Sequence, residues 1–124
     1  MQGDRGASAV EFAIVLPVLI SILVGIIEFG WLFNQQISLT QAAREGARAY
    51  AIHHADAAFN LNNVVSASAP AVPGVTATSL PAGGACPSGQ SVVVTTSVNY
   101  TSLTGFFDFL PATLNGTAAM RCGG

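Results

Sequence analysis

Two carboxylates sit where water is scarce. Glu11 stands at the mouth of the segment FAIVLPVLISILVGIIEFGWLF, residues 12–33, and Glu28 is the one charged residue inside it. An acidic group at the centre of an apolar helix costs about 2.5 to 3.5 kcal/mol on insertion scales, and less toward the interface. Each therefore needs a partner or a route to water. Glu11 belongs to Arg5-Gly6-Ala7-Ser8-Ala9-Val10-Glu11-Phe12, a glycine followed by four residues and then Glu-Phe. Solvation at headgroup level is the plain alternative for it. If hydrocarbon begins near Phe12, about 20 residues reach Trp31, which suits an aromatic belt and leaves Glu28 one turn inside the outer face. Glu28 then either snorkels outward or meets a cation on a partner, and the two acidic positions mark this helix as a bundle member.

Other reactive side chains are few. Cys86 and Cys122 are the only cysteines and neither has a second Cys or His at metal-ligand spacing. An even count outside the apolar segment suggests a disulfide in an oxidising compartment, with two inert buried thiols as the alternative. His53 and His54 are adjacent, so on a helix they diverge and cannot form an i, i+4 metal pair. Asp56 can lie near His53, but two ligands do not make a zinc site. With the histidines confined to that pair and no phosphate-binding glycine loop, no catalytic site, metal or cofactor is expected.

Stepping from these groups to the elements that carry them, the composition is that of a membrane-associated chain. Of 124 residues 51% are hydrophobic and 8% charged, against about 25% charged in ordinary soluble domains. Lysine is absent, the four basic residues are arginines, and the net charge is −2. No basic surface is available for a nucleic-acid backbone.

The run over residues 12–33 is long enough to cross a bilayer as a helix. A cleaved secretory signal is the closest rival. Its hydrophobic core would be too long, however, and helical patterning continues through NQQISLTQAAREGARAYAIHHADAAF, so one helix is predicted over Ala7–Phe59. Pro17 is read as a benign kink. Gly25 and Gly30 leave room for close helix approach. Arg5 on one side and Arg44 and Arg48 on the other leave orientation undecided by charge. Further on, Arg44 and Arg48 stack on one helix face with Gln41, and Ala43, Gly46, Ala47 and Tyr50 share another. That smooth face suits a second helix or the chain's own sheet; alanines chosen for helix propensity are the alternative.

From about Asn60 the composition turns to Ala, Ser, Thr, Val, Pro and Gly, and Pro70, Pro73, Pro81 and Pro87 exclude a long helix. Strict alternation predicts a strand over Gln90–Thr101, with Val92, Val94, Thr96, Val98 and Tyr100 on the buried face. Weaker strands are expected at Val75–Leu80 and at Ala112–Arg121, the latter with Leu114, Ala118 and Met120 on one side. Between strands, Phe106, Phe107 and Phe109 are expected to fill a core, an exposed patch being the alternative. A Cys86–Cys122 bond would staple a domain too small to be stable by its core alone.

The Gly6–Phe12 motif, the LPVLISILVGIIEFGWLF run and the downstream QAAREGARAYA together resemble the TadE-like proteins of the tight-adherence (Tad/Flp, type IVb) pilus system. The entry motif is similar to the cleavage site of type IV prepilins. The resemblance is close over about residues 5–52 and loose beyond. It implies cleavage between Gly6 and Ala7 by a membrane aspartyl prepilin peptidase, and pairing of Glu11 with the freed amine of Ala7 on a neighbouring subunit. It also implies an N-terminus in the cytoplasm, an outer domain beyond the inner membrane, and other pilins, minor pilins and the assembly platform as partners. The expected architecture is α+β and pilin-like, divided as leader 1–6, transmembrane helix 7–33, helix extension 34–60 and β-rich outer domain 61–124. The expected function is that of a minor pilin or pseudopilin, and the alternative is an unprocessed single-pass anchor whose outer domain binds an envelope partner.

Overall fold

The computed structural model describes residues 2–110 and 112–123. One helix, α1 (Gln2–His53), is 52 residues long and continuous, on the order of 78 Å at ~1.5 Å rise per residue. Pro17 does not break it. The hydroxyl of Ser21 donates to the Pro17 carbonyl at 2.8 Å, in the turn that follows the proline. A short helix, α2 (Leu61–Ser68), follows, and then three strands, β1 (Thr76–Leu80), β2 (Ser91–Asn99) and β3 (Thr113–Arg121). They form an antiparallel sheet in the order β1-β2-β3. The architecture is α+β, as the alternation and composition led one to expect.

The sheet lies along the upper part of α1. β2 is its centre, with Val92, Val94, Thr96 and Val98 buried and the intervening residues turned to the other face, so the period-two pattern reads out directly. β3 contributes the half-buried Leu114 and Ala118 with Gly116 buried between them, while Met120, on the same side, is exposed at the sheet's margin. Register pairs Val94 with Ala118 and Thr96 with Gly116. At Gly116 the two elements nearly touch, since a Cβ there would lie 2.7 Å from the Leu39 carbonyl carbon and oxygen. Thr96, fully buried, donates its hydroxyl to the same Leu39 carbonyl at 2.9 Å. A threonine and a glycine thus let a strand backbone approach a helix backbone without stranding a polar group.

Three expectations are corrected. The helix ends at His53, six positions short of Phe59, because Phe59 folds back to stack edge-on against Tyr50 at 5.9 Å and flat against His53 at 6.4 Å. The turn is closed by amides of Asp56 and Phe59 donating to the carbonyls of His53 and Asp56. Second, α2 occupies a stretch read as loop and strand. Asn60 caps it, accepting from the Asn63 amide, and Leu61 and Val65 pack toward Gly46. Third, the phenylalanines do not fill the core: Phe106 and Phe109 are 69% and 74% exposed.

Candidate functional site: the Glu28 clasp and the two ends of the helix

Glu11, with the rest of residues 3–20, stands clear of the folded domain and exposed. Gly6, Ala7 and Phe12 share that bare stretch, so the Gly6–Phe12 segment is presented on helix with nothing from the described residues covering it. Gly25 and Gly30 also face open space, where an added Cβ would meet no atom within 4 Å. Any close approach that they permit is to another molecule.

Glu28 is different. It is 5% exposed, and its partners are neither a cation nor water at the helix surface. They come from the connection between β2 and β3, residues 100–112. The Tyr100 hydroxyl donates to Oε1 in a short contact. The Leu103 amide donates to Oε1 at 3.0 Å, and the Thr104 amide and hydroxyl donate to Oε2 at 3.2 and 2.8 Å. Four donors from one loop converge on one carboxylate, which answers the acidic position within the chain itself. Trp31, one turn above, donates its indole N–H to the Thr101 carbonyl at 3.3 Å. Tyr100 registers the neighbouring charge: burial, joined by its hydrogen bond to Glu28 and that group's negative charge, pushes its phenol up to about 12. Alternation puts Tyr100 on the buried strand face but gives no sign of its role as a donor to Glu28. The sequence marked both residues without linking them.

The small-residue face does meet the chain's own domain. Ala43 and Ala47 are fully buried and Tyr50 nearly so. At Gly46 a Cβ would come 2.9 Å from a Val65 methyl and 3.4 Å from one of Val94. Arg44 and Arg48 point to solvent. At that upper end Cys86 and Cys122 are joined, with Cα atoms 5.4 Å apart across a separation of 36 residues. The Cys122 amide donates to the Gln90 carbonyl at 2.8 Å, tying the end of β3 to the segment before β2. Tyr50 anchors the same region, accepting from the Gly84 amide at 2.9 Å. His53 pairs with Asp56 at 3.0 Å on the exposed turn. Among the described residues no group of three His, Cys, Asp or Glu side chains is placed to hold a metal.

α1 is long and apolar enough to cross a membrane, and none of its most apolar window is covered by the rest of the chain. The motif at its foot now has a counterpart among known families. Residues 6–48 match the family described as TadE-like protein. That TadE-like segment takes in Gly6, Glu11 and Glu28, runs up the small-residue face through Ala47, and stops before Tyr50. The sheet and the Glu28-binding loop lie outside it. No curated protein and no solved structure matches the chain.

Proposed function

We propose that this protein is a membrane-anchored component of a tight-adherence pilus system, a minor pilin or pseudopilin that works by packing its helix against those of other subunits. The observation that carries the reading is the uncovered foot of α1. More than twenty consecutive residues stand clear of a folded domain, and an apolar rod of that length needs lipid or neighbouring helices around it. The match of residues 6–48 to TadE-like proteins supports the pilus assignment.

In this reading a prepilin peptidase cuts between Gly6 and Ala7. The new α-amine of Ala7 on one subunit then meets Glu11 of the next, and such a buried pair sets axial register. Gly25 and Gly30 provide close-approach points for neighbouring helices. The amino end lies in the cytoplasm and the disulfide-bearing domain beyond the inner membrane, where oxidation forms the bond. Pilins and the assembly platform are the partners, and no step requires catalysis by this chain.

Intact-mass measurement of the protein extracted from membranes tests the proposal. Processing predicts an N-terminus at Ala7, and a Gly6 substitution predicts retention of Met1. A wild-type chain that keeps residues 1–6 in cells with an active prepilin peptidase would overturn it.

A further inference from the structure

The loop that binds Glu28 does more than satisfy a carboxylate. Below Glu28 it descends along α1, where Phe106 and Phe107 line a cleft with Ile20, Ser21 and Val24. From Glu28 down to Ile20 is on the order of 12 Å along the helix axis at ~1.5 Å per residue. This loop therefore stands beside the apolar stretch read as membrane-spanning. Its outward side chains are Leu103, Phe106, Phe109 and Leu110, all more than half exposed, and they continue the uncovered apolar surface of Ile20, Leu23 and Ile27.

An irregular loop at membrane depth is costly wherever its backbone donors lack partners. Five of the ten amides over residues 101–110 are answered from within. The Leu103 and Thr104 amides bind Glu28, the Ser102 amide binds Asp108 at 3.2 Å, and the Gly105 amide binds the Ser102 hydroxyl at 3.0 Å. The Leu110 amide donates to the Phe107 carbonyl, and Tyr100 N–H to Ala112 closes the neck. The large apolar side chains point out while these five donors point in, unlike a surface loop in water.

We propose that residues 101–110 form a wedge seated in the bilayer leaflet nearer the folded domain, beside α1, clasped to the helix by Glu28 and with lipid acyl chains as the ligands of Phe106 and Phe109. This rests on α1 spanning the membrane and needs neither cleavage nor a pilus. The wedge fixes how deep the helix sits and how close the sheet rides to the lipid surface.

The test uses the full chain in phosphatidylcholine vesicles, with tryptophan placed singly by Phe106→Trp, Phe109→Trp or Val18→Trp and the signal of native Trp31 subtracted. Brominated acyl chains are expected to quench both loop tryptophans, with aqueous iodide having little effect. Adding Glu28→Ala to Phe106→Trp is expected to exchange bromine quenching for iodide quenching, with the Cys86–Cys122 bond retained as a check on folding. If Val18→Trp responds to bromine while both loop positions respond to iodide alone, α1 spans and the wedge does not exist. Loop positions shielded from iodide yet untouched by bromine would assign the surface to a second copy of the chain, and the lipid proposal falls. Failure of Val18→Trp to respond would remove the spanning helix itself, and the wedge with it. Bromine quenching unchanged by Glu28→Ala would overturn the clasp.

Discussion

The lower and upper parts of α1 are one helix written in two alphabets. From Phe12 up to Glu28 the side chains are mostly large and apolar on every side, and all of residues 3–23 are exposed. Above it one face carries Leu39, Ala42, Ala43, Gly46 and Ala47, all buried, and a sheet backbone comes close enough to touch. Bulky residues all round give a rod soluble only in an apolar surrounding. Small residues on one face give a seat for this chain's own domain. The contrast teaches that helix length need not follow domain size, because only the upper half is covered by the chain's own domain.

Perturbing the upper half alone should leave the lower half intact. Removing the disulfide by Cys86→Ser with Cys122→Ser should cost the outer domain about 4 kcal/mol, from the loop-entropy relation for a closed loop of this length. Denaturant unfolding followed by near-ultraviolet dichroism in detergent measures it, while helical signal from the bare segment persists. Gly116→Val, which drives a side chain into the Leu39 backbone, should cost about 3 kcal/mol, near the top of the usual range for overpacking. The same change at Gly25, which faces open space, should shift that midpoint by less than about 0.5 kcal/mol. Gly46→Leu should cost about 1 to 3 kcal/mol by crowding Val65 and Val94.

A smaller effect sharpens the boundary between the halves. The phenol of Tyr100 ionises near 12 in the folded protein against an ordinary 10. Its pKa is raised by folding, so its contribution is complete below pH 10 and is lost as pH climbs from 10 to 12. Phenolate absorbance during alkaline titration reads this directly, and Glu28→Gln should bring the Tyr100 transition to lower pH. Smallest of all, Arg44→Ala and Arg48→Ala, on solvated positions, should each change stability by less than about 0.5 kcal/mol.

Much of this was legible in the chain itself. The apolar run needed only its length, and β2 announced itself through Val92, Val94, Thr96 and Val98, because alternation is a local property. Ala43, Gly46 and Ala47 were recognisable as a face, although what covered them was not. Illegible features depended on contacts distant in sequence. Glu28 and Thr104 are 76 positions apart, and no spacing rule connects them. Without that link, three phenylalanines in a short span read as core. The end of α1 at His53 had no local signal either, since its cause is the return of Phe59 onto Tyr50. In α2 the capping Asn60 was a usable sign, but eight residues of mixed polarity gave too little periodicity to follow.

Continuity of α1 from Gln2 to His53 has a mechanical meaning. No flexible tether separates foot from head, so a displacement of the lower end is delivered undiminished to the Leu39 carbonyl and the strand hydroxyl hooked on it. A shift by one helical turn at the base carries the sheet up by the same ~5.4 Å.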